Sequence, residues 1–117
     1  MDEKLKVSRY IKDFILSLDS ILINFPRKEL ILKNRIISDS YDILELVYSA
    51  NENKNIEIRI ETLAKALSKL YMLDFYFEKS YKCKYINQKN LNKYLNNLTV
   101  ISKMLRKWMA YEKSRIQ

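Results

Sequence analysis

Apolar residues recur by threes and fours along most of this chain, and charged and amide side chains fill the intervals. In the first segment Leu5 (or Val7), Tyr10, Ile11, Phe14, Ile15, Leu18, Ile21 and Leu22 keep that spacing, which gathers them on one face of a helix. The spacing predicts a helix over about residues 3–23, with Asp2 as its cap. It closes at Asn24-Phe25-Pro26, because the residue before a proline is pushed out of helical geometry. Pro26 suits the first turn of a second helix, over about 27–50, with the stripe Leu30, Ile37, Tyr41, Leu44 and Tyr48, widened by Ile36, Ile43 and Val47. The polar run Asn51-Glu52-Asn53-Lys54-Asn55 is the clearest break in the chain.

A third helix follows over about 56–82, with Ile56, Ile60, Leu63, Leu67, Leu70, Tyr71 and Tyr81 on one face. Met72, Phe75 and Tyr76 fall on other sides, so its C-terminal half is apolar nearly all round, as in a helix buried on more than one side. Only one side of a bundle helix meets the bundle core, so Met72, Phe75 and Tyr76 are the candidate interface with another protomer. Tyr85-Ile86-Asn87 makes the last turn, with Asn87 placed to cap a fourth helix over about 88–114. That helix carries Leu91, Tyr94, Leu95, Leu98, Ile101, Leu105 and Trp108 inward. Tyr10, Tyr41, Tyr48, Tyr71 and Tyr94 fall on inner faces and are expected in the core, their hydroxyls reaching an edge. Four long helices with short links make an all-α, up-down-up-down antiparallel four-helix bundle, a single domain over 1–117.

Composition narrows the chemistry. The chain has no Gly, one Pro, no His and one Cys. Tight hairpins and phosphate-cradling loops lean on Gly, so both are disfavoured. Without His the commonest general base and metal ligand is missing, and the Glu-x-x-His pairs of di-iron bundles cannot be built. Asp13, Asp19, Asp39, Asp42, Glu45, Glu57, Glu61 and Glu78 read as surface charges. Asp74 is the exception, placed by the period near the inner face, where a Tyr hydroxyl or a Lys is the expected partner. Cys83 alone makes neither an internal disulfide nor a thiolate cluster and reads as an ordinary helix-end thiol. No cofactor is expected. The first residues carry no apolar stretch of signal-peptide length and no apolar run approaches ~18 residues, so the expected location is the cytoplasm, away from membranes.

Charge is where the sequence turns uneven. The chain carries a formal +8, yet its first 78 residues hold twelve basic and thirteen acidic side chains. From Lys79 onward there are ten Lys and Arg against one acid, Glu112. At ~100° per residue, Lys89, Lys93, Lys103 and Lys107 share one side of the fourth helix, with Asn96 between them, opposite the apolar stripe. A solvated face usually mixes signs; this one does not. Tyr81, Tyr85 and Tyr111 lie in the same segment, where rings can stack on bases. These features, with Lys82 and Lys84, predict electrostatic, largely sequence-independent binding of a nucleic-acid backbone.

Phe25-Pro26-Arg27-Lys28-Glu29, then Arg35-Ile36 opening a long apolar helix, the polar break at Ala50-Asn51, and Ile101-Ser102-Lys103-Met104-Leu105-Arg106-Lys107-Trp108 together resemble one family. It is the four-helix-bundle family of the accessory variability determinant (Avd) of diversity-generating retroelements, with relatives encoded in intervening sequences of ribosomal RNA genes. Arg106-Lys107 stands where small residues often precede the final Trp in that family. The resemblance implies a basic homopentameric barrel that binds the retroelement's reverse transcriptase and RNA or an RNA–DNA hybrid, supporting mutagenic complementary-DNA synthesis without catalysis of its own. It marks Arg35, Lys103, Arg106 and Lys107 as the matching basic positions and Trp108 as a packing residue. The rival expectation is a protein–protein adaptor or intervening-sequence protein with no reverse-transcriptase partner, whose working surface is the second apolar face of the third helix.

Overall fold

In the computed structural model, which describes residues 3–116, the chain forms four helices in sequence: α1 (Glu3–Leu22), α2 (Leu30–Glu52), α3 (Ile56–Lys82) and α4 (Gln88–Ser114). Asp2, the expected cap of α1, and the side chain of Leu5 lie outside the described residues. The ends follow local chemistry. Pro26 is extended (φ −68°, ψ 154°) and its carbonyl accepts from the Glu29 N–H at 2.9 Å, so Arg27–Glu29 forms a 3₁₀ turn before α2 winds up. The second helix therefore starts three residues later than the proline alone suggested. Asn55 and Asn87 cap α3 and α4, their side chains accepting from the N–H groups of Ile58 (3.1 Å) and Asn90 (2.8 Å). Each supplies an acceptor to an otherwise orphaned donor of the first turn.

Each helix packs on its sequence neighbours, and α1 closes the square against α4, giving a bundle of 48 × 23 × 21 Å. Among the described residues there is no strand, and no helix is long and apolar enough to cross a membrane. The centre is an aromatic trio spanning three helices. Phe14 meets Phe77 and Tyr94 edge-on (6.1 and 5.7 Å), and Phe77 stacks on Tyr94 at 5.0 Å. Such pairs contribute about 0.5–1.5 kcal/mol each beyond the area they bury. The Tyr94 hydroxyl donates to the Ser17 carbonyl at 2.8 Å, so this ring is buried without losing a hydrogen bond.

Two expectations about inner faces are corrected. Of the five tyrosines assigned to the core only Tyr94 is there; Tyr10, Tyr41, Tyr48 and Tyr71 are exposed. They stand at the margins of their apolar arcs, where the phenol oxygen stays in water. On α2 the buried face is Leu32, Ile36, Ile43, Val47 and Ala50, while Leu30, Tyr41 and Tyr48 point outward and Ile37 and Leu44 are half-buried. The helix carries two adjacent apolar arcs, and packing against the neighbouring helices, with polar pairs to α3 at its edge, selects between them. Asp39 is buried with Lys69 of α3 at 3.5 Å, and Lys69 also reaches Asp42 at 3.1 Å. Asp39 is thus an interior ion-pair partner rather than the surface charge expected.

Candidate nucleic-acid interface

The α4 face is built by the helix period itself. Tyr94, Leu98, Ile101, Leu105 and Trp108 are buried, which turns Lys89, Lys93, Lys103 and Lys107 outward, and all four are exposed. At 1.5 Å per residue they run along about 27 Å of the helix. The Lys93 ammonium lies over the Tyr94 ring, 5.8 Å from its centroid.

What makes this helix unusual is the fate of its one acid. Glu112 is wholly buried and accepts from Arg59 at 2.9 and 3.1 Å, from the Trp108 indole at 3.3 Å and from Arg115 at 3.3 Å. The carboxylate is neutralised inside the bundle, so the outward surface of α4 carries cations and no counter-charge of its own. Periodicity missed this site, although both residues extend inner stripes: Arg59 stands four residues before Leu63, and Glu112 four after Trp108.

The remaining basic positions divide by location. Arg106 sits on the α3 side of α4, where it donates to the Tyr71 hydroxyl and lies 5.6 Å over that ring. Lys82 and Lys84 are exposed at the α3–α4 turn, beside Lys89 at the start of the lysine face. There a shallow depression is lined by Tyr81, Lys82, Lys84, Tyr85, Ile86 and Asn87. Arg35 is set apart. It lies on α2, the helix diagonal to α4, and its Nε donates to the Tyr76 hydroxyl at 3.0 Å. That hydrogen bond is the main reason its pKa is raised.

Of the stacking tyrosines, Tyr81 and Tyr111 are exposed, Tyr111 with the Arg115 guanidinium 5.7 Å over its ring. Tyr85 is half-buried, its ring 5.4 Å from Phe25; desolvation, with the Glu29 carboxylate alongside, pushes its hydroxyl up to about 12. The expected protomer interface is split: Met72 and Phe75 are exposed, but Tyr76 is buried. Tyr76 turns toward α2 to receive Arg35, which takes it off the outer surface. A second outward apolar set includes Leu16 on α1, Ile23 just after it, and Leu30 and Ile31 at the start of α2. Asp74 is half-buried, and burial followed by the neighbouring Glu78 raises its pKa. Neither the Tyr hydroxyl nor the Lys expected beside it is found among the described residues. Cys83 is exposed at the end of α3. Among the described residues no three His, Cys, Asp or Glu side chains converge as a metal site requires.

No protein-family model matches the chain, and no curated protein matches it in sequence. In three dimensions it is similar to the crystal structure of a protein of unknown function from the S23 ribosomal protein family of Bacteroides thetaiotaomicron, with a TM-score of 0.84. The two are 17% identical over 93% of this chain and 99% of that one. At that identity the likeness is one of fold.

Proposed function

We propose that this protein is a non-catalytic, RNA-binding accessory of a diversity-generating retroelement's reverse transcriptase, working as a homo-oligomer, with five subunits as the family resemblance implies. The observation that carries the nucleic-acid part is the α4 face: four exposed lysines in line, with the helix's one carboxylate withdrawn into a buried ion pair. A polyanion on such a face releases counterions at each neutralised phosphate, and nothing on the helix surface opposes it. Ring closure would multiply the field: five chains of +8 amount to about +40, enough to hold a structured RNA and dock a polymerase. The outward apolar residues Met72 and Phe75 on α3, and Leu16, Ile23 and Ile31 on α1, its following link and α2, are the surfaces available for self-association. The S23 ribosomal family name of the similar structure is compatible with an RNA setting.

The test is light scattering coupled to size exclusion, with and without a structured RNA, at low and moderate salt. The expected result is an oligomer that shifts with RNA and loses the shift as salt rises. Lys103→Glu/Lys107→Glu should keep its helical spectrum and lose RNA binding. Unchanged binding at low salt would sink the assignment. The adaptor reading rests on the same outward apolar residues; a monomer indifferent to RNA, with a protein partner bound independently of salt, would favour it.

A further inference from the structure

The fold brings two turns that are far apart in sequence to one end of the bundle: the α1–α2 link, residues 23–29, and the α3–α4 turn, residues 83–87. The Phe25–Tyr85 ring contact at 5.4 Å joins them. The acid of the first link, Glu29, is close enough to the Tyr85 hydroxyl to help raise its pKa. Around that contact Arg27, Lys28, Lys82, Lys84 and Lys89 are all exposed. The depression beside them has an apolar floor in the buried Ile86, a wall in the half-buried Tyr85, an exposed phenol ring in Tyr81 and two ammonium groups on its rim.

An aromatic face, an apolar floor and a cationic rim are the three things an unpaired nucleotide uses: a ring for its base to stack on and ammonium groups for its phosphates. A duplex uses only the last, since its bases are already stacked on one another. The depression is lined up to Asn87, two residues before the first lysine of the α4 face, so one strand can pass from one to the other. We propose that this end of the bundle binds a single-stranded stretch of nucleic acid, seating an unpaired nucleotide beside Tyr81, while the α4 lysines hold the adjoining backbone. This rests on the reading of α4 as a nucleic-acid face, and it adds a preference for a single-strand junction that the lysine row alone does not supply.

The experiment is fluorescence anisotropy at low salt with a blunt RNA hairpin, the same hairpin carrying a short single-stranded tail, and a polyglutamate competitor. The tail is expected to raise affinity about tenfold, the effect of one stacked base. Tyr81→Ala is expected to lose that gain and still bind the blunt hairpin, and Lys84→Gly to weaken binding of both hairpins. Lys84→Gly also relieves a left-handed backbone position, so a melting temperature at or above that of the parent separates its loss of binding from unfolding. Equal affinity for the tailed and blunt hairpins, or a full tail effect in Tyr81→Ala, would overturn this proposal and leave the α4 reading standing. Failure to bind either hairpin would overturn both. Polyglutamate displacing the tailed hairpin as readily as unlabelled tailed RNA would replace the nucleotide with an acidic protein segment.

Discussion

Arg59 grips Glu112 with one guanidinium nitrogen placed 2.9 and 3.1 Å from the two carboxylate oxygens, across 53 positions of sequence and with the carboxylate wholly buried. The same guanidinium donates to the carbonyls of Ala50 (3.0 Å) and Asn53 (2.6 Å), acceptors at the C-terminal end of α2 that the helix leaves unpaired. One side chain at the start of α3 thus ties the end of α2 to the end of α4. The removal of either partner leaves a buried charge uncompensated, which costs about 3–5 kcal/mol. Glu112→Ala is expected to lower stability by that order in urea unfolding. The double variant Arg59→Met/Glu112→Leu should lose clearly less than the two single losses together. Additive losses would mean the pair is not coupled.

Lys84 holds a left-handed backbone, φ 66°, at the end of α3. Its N–H bonds the Tyr81 carbonyl and the Tyr85 N–H bonds the Ser80 carbonyl, both at 2.9 Å, a helix closure that ordinarily recruits glycine. The chain has none, so an L-residue bears the steric cost of about 1 kcal/mol. Lys84→Gly is expected to raise the melting temperature by about 4 °C. A lowered Tm in calorimetry would show that the lysine side chain contributes more to the fold than its backbone costs.

Arg35 and Lys93 should separate in experiment. The first is held by a buried tyrosine hydroxyl on the far side of the bundle, the second stands on the lysine face. Arg35→Gln and Tyr76→Phe are both expected to lower the urea midpoint and leave RNA affinity as it was. Lys93→Gln should do the reverse, and reduce the slope of log affinity against log salt by about 0.7–0.9. Lost RNA binding in Tyr76→Phe would put Arg35 back among the contacts.

Asp74 supplies a pH dependence whose sign is set by burial. Its folded pKa lies above 3.8, so the folded chain holds a proton that the unfolded chain releases first. Its contribution is therefore fully present below 3.8 and lost as pH rises through the elevated folded value. Asp74→Asn is expected to stabilise the protein at pH 7 and to lose that advantage in acid. Equal midpoint shifts at both ends of that range would show that ionisation is not the cause.

Much of the architecture was legible because it is local. Asn87 caps whichever helix follows it, Pro26 interrupts whichever helix precedes it, and the strict spacing from Tyr94 to Trp108 leaves α4 one way to face. The uneven placement of charge was equally open to reading, since covalent order alone puts ten cations and one acid after Glu78. Tertiary structure decided the rest. The period of α2 defines two neighbouring apolar arcs, and packing against the neighbouring helices, with the Asp39–Lys69 pair at its edge, sets Ile36 inward and Tyr41 out. The period of α3 made Tyr76 an outer residue, and Arg35 drew it in. Glu112 counted in the sequence only as the one acid of a basic segment, and it is Arg59, from the first turn of α3, that holds it in a buried ion pair. A helix's own sequence specifies which residues share a face, whereas the rotation of that face and the partners of its charges are set by the neighbours it packs against.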